Sequence, residues 1–449
     1  MDARNIFMHE RKILYGGELS LNLPPPINSG DILKFQGECM GKYAEFSVSD
    51  EILGRHILLT GGTGTGKTNF LLHCISQLKP KMTDDDVMII FDTKGDYFRE
   101  FYNPSRDLVI GCSREYRYIS RKWNIFREIM IDGVEDEEII INTNEICRAV
   151  FADSLQKTKD IFFPNAARSL MAAVIINLIR DYANRLVHLD KFTNANLRRI
   201  VAEQDADEIS DAVTEYEDMK SRAQYIAGGT EQAQGVLSEM YTVAGDLFIS
   251  VFGDDGKFSV RDFVRKKGSR TLFIEYDLAS GDTLSPVYSM LMDLALKETL
   301  SRNSTQSRGR VYLILDELKL LPYLRHLDDG INFGRSMGLR ILAGLQSIDQ
   351  LSAVYRDNPA AAKNIVSGFS SVIAFRPSDT ATRSYVKELH GRKIILEQYE
   401  SADFKLESKR VEGNVSEDWD LIGLEKGEAV TGLSGIPPFR FKFKKYEGK

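Results

Sequence analysis

The sequence predicts an α/β protein organised around a central, mostly parallel sheet, with an all-α insertion and a short β-rich N-terminal leader. Three observations carry that expectation. Apolar runs of strand length, such as "HILLT" (56–60) and "VYLIL" (311–315), are hydrophobic without alternation, as strands buried on both faces are. Segments with helical periodicity follow them, and residues 136–250 carry the helical pattern alone. The 449-residue chain, 43% hydrophobic and 27% charged, is long enough for more than one domain and ordinary in balance for a globular protein.

The leader, residues 1–50, contains "PPP" at 24–26 and the alternating stretches "DILKFQG" and "YAEFSV", which read as short strands. Residues 51–135 form the first part of the core. "HILLT" feeds Gly61-Gly62-Thr63-Gly64-Thr65-Gly66-Lys67-Thr68, and then Phe70, Leu71, Cys74, Ile75 and Leu78 recur at helical spacing. The octapeptide fits G-x-x-x-x-G-K-[ST] without a mismatch, in the strand–loop–helix context that the motif requires. Backbone N–H groups and the positive end of the helix dipole then face phosphate. Lys67 is expected to reach the β- and γ-phosphates of a nucleoside triphosphate and Thr68 to ligate Mg²⁺. ATP and Mg²⁺ are the expected cofactors.

In a parallel sheet, ligands bind at the C-terminal ends of strands. "VMIIF" (87–91) ends in Asp92-Thr93-Lys94-Gly95-Asp96, and "TLFIEY" (271–276) ends in Asp277. "VYLIL" ends in Asp316-Glu317, "RILAGL" (340–345) in Gln346-Ser347, and "SVIAF" (371–375) in Arg376. Asp316 is expected to hold Mg²⁺ through water and Glu317 to polarise the attacking water, a pairing that suits an ATP hydrolase. Gln346 can sense the γ-phosphate or position water. Arg335, between glycines in "INFGRSMGLR", is a candidate trans-acting arginine finger, with Arg340 and Arg376 as rivals. Asp92-Thr93-Lys94-Gly95-Asp96 reads either as a group flanking the nucleotide edge or as a solvated strand–loop junction.

From 136 to 250 come five consecutive helical patterns, from "EIIINTNEICRAVF" to "EQAQGVLSEMYTVAGDLF", an all-α block inserted into the core. Such insertions are where substrate or partner handling is added. Residues 251–449 complete the core. "RKKGSR" (265–270) reads as a solvated turn. "FRFKFKKY" (439–446) reads as an edge strand burying Phe439, Phe441 and Phe443 and exposing Arg440, Lys442 and Lys444, with phosphate contact as the lesser alternative.

Composition excludes several classes. The four cysteines (Cys39, Cys74, Cys112, Cys147) form no CxxC pair, which argues against a disulfide framework or a thiolate metal site. A net charge of −7 excludes a protein-wide basic field, so any DNA contact is local, as in a lined channel or loop. Charge throughout residues 1–20 argues against a secretory signal. The apolar run "LMAAVIINLI" (170–179) is too short to span a bilayer, so a soluble, cytoplasmic chain is expected.

Together the motifs resemble the ATPase part of type IV secretion and conjugation coupling proteins, the TraD/TraG/TrwB-like family, within the wider FtsK/HerA group of RecA-like motors. "GGTGTGKT", "IIFDTKGDYF", "WNIF" (123–126) and "ILDELKLLPYLRHLDDGINFGRSMGLRILAGLQSIDQL" carry the likeness, which spans most of 55–395. It implies a RecA-like core in a homo-hexameric ring that uses ATP to move DNA, or DNA with a bound protein, through a central channel. It identifies 136–250 with the family's all-alpha domain, and supports Arg335 as the finger and Gln346 as the sensor. Family members usually begin with transmembrane helices, and none is expected within this sequence. The expectation is then either a soluble member recruited to the inner face of the membrane by a separate anchor protein, with relaxosome or secretion-channel proteins as partners, or a truncated chain. The alternatives are a HerA-like motor acting with a nuclease in DNA processing or defence, and a receptor that docks secreted proteins through 136–250.

Overall fold

The computed structural model describes residues 7–301, 309–355, 359–400 and 406–448. The chain forms two compact units. The first comprises residues up to 82, 312–319 and 339 onward; the second comprises 83–311 and 320–338.

The strands are β1 (Phe7–Tyr15), β2 (Leu33–Cys39), β3 (Lys42–Val48), β4 (Ile57–Thr60), β5 (Val87–Asp92), β6 (Leu108–Gly111) and β7 (Arg270–Glu275). They continue as β8 (Val311–Leu315), β9 (Leu339–Leu345), β10 (Ser371–Phe375), β11 (Arg392–Glu400), β12 (Leu406–Asn414), β13 (Glu428–Gly432) and β14 (Phe439–Phe443). In the first unit the order is β3-β2-β14-β13-β10-β4-β9-β8, with a separate sheet β1-β11-β12. β10, β4 and β9 pair in parallel, and β13, β14, β2 and β3 extend them as an antiparallel run. In the second unit β5, β7 and β6 are parallel. The α/β expectation holds. β4, β5, β8, β9 and β10 are buried at every residue, whereas antiparallel β2 and β14 alternate.

β14 corrects an expectation. Phe439, Phe441 and Phe443 are buried as the alternation predicts, but β14 is an interior strand between β13 and β2. Its basic residues lie on a half-buried face, where Arg440 binds Glu428 and Lys442 binds Glu425, both at 2.6 Å. The edge is covered by the β2–β3 hairpin, some 400 residues upstream, which no local pattern can reveal. The hairpin is tied to the sheet by an aromatic cluster. Phe46 packs on Phe441 with centroids 4.8 Å apart, and Phe35 stacks on Phe70 at 4.8 Å; such pairs contribute about 0.5–1.5 kcal/mol each beyond burial.

Residues 136–250 contain helices and turns only, all in the second unit. The helix containing "LMAAVIINLI" runs over Phe162–Ala183, longer than the apolar run because the flanking residues hold no interior breaker. It is long and apolar enough to cross a bilayer by length and composition, but 67% of its apolar window is buried within the protein. Arg180 near its end makes a bidentate pair with Asp136 and another with Asp218.

The first of the block's helices, Asp136–Val150, follows "WNIF", where side chains stitch distant backbone together. Asn194 donates to the carbonyls of Trp123 (2.8 Å) and Phe252 (2.7 Å), and Trp123 Nε1 donates to buried Glu128 at 2.9 Å. Glu128 also accepts from Ser259 and from the N–H groups of Val260 and Arg261, the start of helix Val260–Lys266. Arg261 pairs with Asp132 at 2.7 Å and Glu298 at 3.2 Å; its side chain and that of Glu298 are each 4% exposed. Arg265, in the segment expected to be solvated, joins both carboxylates.

Removing one member of a buried ion pair leaves the others uncompensated. Arg261→Ala should therefore lower the unfolding free energy by about 3 kcal/mol. Arg55→Ala, which removes an exposed pair with Glu51, should change it by less than about 0.5 kcal/mol. Urea titrations following buried Trp123 in a Trp419→Phe background measure both.

Candidate functional site

The phosphate loop leaves β4 at Thr60 and enters helix Lys67–Leu78, whose Phe70, Leu71, Cys74, Ile75 and Leu78 are all buried. Two of its glycines are dictated by crowding and backbone angle together. Gly61 has φ +140° and Gly66 φ +138°, a region L side chains rarely enter. A Cβ on Gly61 would lie 2.8 Å from Phe375 Cβ, and one on Gly66 would lie 2.7 Å from the Phe375 ring. The loop is clamped from outside, by Gly62 N–H donating to the Arg376 carbonyl at 3.1 Å and Gly427 N–H to the Thr65 carbonyl at 2.8 Å. Gly66 caps the helix without any side-chain hydrogen bond. Lys67 Nζ donates to the carbonyls of Gly61 (2.5 Å) and Gly62 (3.2 Å), so the ammonium is held back over the loop.

Asp316 and Glu317 leave the end of β8, and Gln346 the end of β9. Asp316 is half-buried and Glu317 is 6% exposed. One carboxylate oxygen of Glu317 is buried without a hydrogen-bond partner. Burial raises the affinity of Glu317 for a proton, while the charge of Lys67 and a hydrogen bond from Gln346 oppose that rise. Thr63 Oγ1 donates to Gln346 Oε1 at 3.3 Å. Gly344 must lack a side chain, because a Cβ there would fall 2.1 Å from the Asp316 carbonyl oxygen.

The first unit thus brings Lys67, Glu317 and Gln346 together, with Asp316 next to Glu317 in the chain. Crowded glycines shape the loop, one buried carboxylate oxygen lacks a partner, and Thr68 and Asp316 offer hard oxygen donors. These features fit a triphosphate with Mg²⁺, which takes one or two protein oxygens and completes its shell from phosphate and water. No cluster of three or more His, Cys, Asp or Glu suited to a metal occurs among the described residues, so an all-protein metal cage is not the fit.

The candidate arginines differ. Arg340 is 8% exposed and its guanidinium binds Asp50 at 2.8 and 3.2 Å and the Leu339 carbonyl at 2.9 Å, a structural engagement at the foot of β9. Arg376 is exposed and supports the loop through its backbone. Arg335 belongs to the second unit, exposed in the turn Gly334–Met337. Sequence reasoning missed Phe375, Gly427 and Gly344. Phe375 ends the noted run "SVIAF", but nothing local ties Gly427 to a loop 360 residues upstream.

Asp92 is not the solvated junction considered above. It is fully buried, and its carboxylate accepts from the N–H groups of Lys94, Gly95, Tyr97 and Phe98 at 2.8–3.1 Å. It therefore holds the turn at Gly95 (φ +69°) and the start of helix Asp96–Phe101. Beside it lies Glu275, unnoticed in sequence because it sits within the apolar run. Burial, then the charge of Asp92, push Glu275 up to about 9. An acid raised in the folded state stabilises that state fully below its unfolded value, near 4.5, and the contribution is lost as pH rises through about 9. Glu275→Gln, which cannot ionise, should flatten this decline between those two pH values. Denaturant titrations of both proteins across that range provide the measurement; parallel curves would contradict the assignment.

A profile described as the type IV secretion-system coupling protein DNA-binding domain matches residues 42–416. The coupling protein TraD of Escherichia coli (strain K12) is 22% identical over 321 residues, and that alignment covers 68% of this chain and 40% of TraD. The present chain therefore spans well under half of that relative. Among solved structures, the unbound bacterial conjugative coupling protein TrwBdeltaN70 superposes with a TM-score of 0.73 at 22% identity, covering 98% of this chain and 94% of that one. TrwB in complex with the ATP analogue ADPNP gives 0.69 at 21%, and TrwB with ADP and Mg²⁺ gives 0.66 at 20%, each covering 98% of this chain and 95% of the other. At these identities the structural likeness establishes the fold.

Proposed function

The chain belongs to the family of type IV secretion-system coupling protein DNA-binding domains, and from that membership we propose that it is a coupling ATPase that hydrolyses ATP to drive DNA, or a nucleoprotein, through a homo-hexameric ring. The observation that carries this reading is the buried Glu317, with one unpartnered oxygen, under the influence of Lys67 and Gln346. A Glu after the Mg²⁺-binding Asp is the arrangement a hydrolase needs, and burial makes Glu317 a stronger base for the attacking water. The TrwB complexes with ADPNP and with ADP and Mg²⁺ support ATP and Mg²⁺ as ligands here.

In this proposal Lys67 exchanges the Gly61 and Gly62 carbonyls for phosphate oxygens. Thr68 and Asp316 hold Mg²⁺, which neutralises developing charge on the phosphates. Gln346 orients the water that Glu317 polarises. Arg335 completes the site of a neighbouring subunit, where an arginine can contribute about 10³-fold or more to phosphoryl transfer; the engagement of Arg340 with Asp50 favours Arg335 over that rival. Residues 136–250 act as an inserted all-α domain that engages substrate, between core segments 51–135 and 251–449 and after a leader of 1–50. A cytoplasmic location, with recruitment to the inner face of the membrane by partner proteins, accords with this role.

Glu317→Gln is expected to lower ATP turnover at least about 100-fold while leaving binding of a fluorescent ATP analogue intact, whereas Lys67→Ala weakens binding as well. Phosphate release should rise when DNA is added to the wild type, and no response to single- or double-stranded DNA would remove DNA as the substrate. If sites are shared, mixing inactive Lys67→Ala with inactive Arg335→Ala subunits restores part of the activity. Mixtures that stay inactive would count against Arg335 acting in trans.

A further inference from the structure

The loop after β6, residues 113–122, has a buried foot and an exposed tip. Tyr116 forms the foot: it is 7% exposed, packs on Phe98 with centroids 5.0 Å apart, and fits against Gly95 and Gly111. Backbone bonds hold the turn above it, from Tyr116 and Arg117 N–H to the Ser113 carbonyl and from Ile119 and Ser120 N–H to the Tyr116 carbonyl. Ser120 Oγ bonds the backbone of Gly111, and Arg121 N–H reaches the Val109 carbonyl at 2.8 Å, closing the loop onto β6. Its shape is therefore set before any partner arrives.

The tip presents Tyr118, 82% exposed, with the Arg117 guanidinium 5.4 Å from its ring centroid. Arg114, Arg121 and Lys122 of the same loop are also exposed, so the loop carries four basic residues against one acid, Glu115, in a protein whose net charge is −7. Lys122 pairs with Asp254 at 3.2 Å, but Arg114, Arg117 and Arg121 make no ion pair among the described residues. A rigid turn that holds an aromatic ring in water beside the Arg117 guanidinium, and carries two further arginines without ion pairs among the described residues, contributes little to packing. It matches a strand of nucleic acid, whose bases stack on an aromatic face and whose phosphates attract arginine. Bases inside a duplex are already stacked, so a flat exposed ring selects an unpaired strand. A bilayer fits less well, because Ile119 is the only aliphatic side chain at the tip.

We infer that the loop 113–122 is a contact for single-stranded nucleic acid, with Tyr118 stacking on a base and Arg114, Arg117 and Arg121 neutralising phosphates. This rests on the reading of the chain as a DNA motor and adds where, and in which form, the strand is held.

The test is anisotropy of labelled oligothymidylate titrated with the full chain at several salt concentrations. Tyr118→Ala should weaken binding about tenfold and Tyr118→Phe should bind within about twofold of wild type, since stacking is retained. Arg117→Gln and Arg121→Gln should each reduce the slope of log affinity against log salt by about 0.7. Basal ATP turnover should stay unchanged in all four. Wild-type affinity in Tyr118→Ala overturns the inference, as does equal weakening in Tyr118→Phe, or binding confined to duplex DNA. Loss of binding to anionic phospholipid vesicles, with oligothymidylate binding intact, would assign the loop to membrane instead. A wild type that binds no DNA at all would refute the motor reading itself, a result distinct from these.

Discussion

The phosphate loop has room for its shape only because two of its glycines rest on Phe375. That contact requires β10 to lie beside β4 in parallel register, which pairs Thr60 with Ala374 and sets the next residue under the loop. From there the constraint spreads through the first unit. Phe375 packs on Phe443 with centroids 5.8 Å apart, and Phe443 on Phe70 at 5.3 Å, the first buried residue of the phosphate-loop helix. Gly427 receives Phe443 N–H and donates its own to Thr65, joining β14 to the loop in two hydrogen bonds. A side chain larger than hydrogen at Gly61 or Gly66 would therefore displace a sheet strand, because interiors packed to crystal-like density cannot yield locally.

Two buried carboxyl groups at strand ends meet opposite electrostatic surroundings. Glu317 lies under the influence of the ammonium of Lys67, which limits the rise that burial causes. Glu275 has Asp92 for a neighbour, and Asp92 spends its charge on four backbone N–H groups, so Glu275 keeps its proton. The first arrangement suits a group that accepts a proton from water; the second suits a neutral hydrogen-bonding wedge beneath a turn. Tyr116, bonded to Glu275, is the root of the basic loop. The chemistry at the foot and the exposed ring at the tip thus belong to one rigid substructure of the second unit.

Much of the fold was legible in the linear chain. Unbroken apolar runs became fully buried parallel strands, the five apolar positions after the glycine loop became the buried face of its helix, and 136–250 proved free of strands. Local patterns carry this information because side-chain periodicity reports burial directly. The same patterns misled at β14, where alternation was right but the edge position was wrong, since strand neighbours are chosen by non-local packing. The apolar run 170–179 also understated the length of helix Phe162–Ala183, which starts at Phe162 and continues through Arg180, paired with two aspartates.

For the site, the chain alone determined the residue types and their order: the glycine-rich loop, Lys67, Thr68, Asp316-Glu317 and Gln346. Each is a short motif at a strand end, and short motifs survive in one dimension. Only the tertiary structure decided that Arg340 is committed to Asp50, that Asp92 is a buried turn-holder, and that Glu275 and Tyr116 share its company. Whether a polar group is paired, strained or desolvated depends on what surrounds it in space, and those neighbours come from segments tens to hundreds of residues apart.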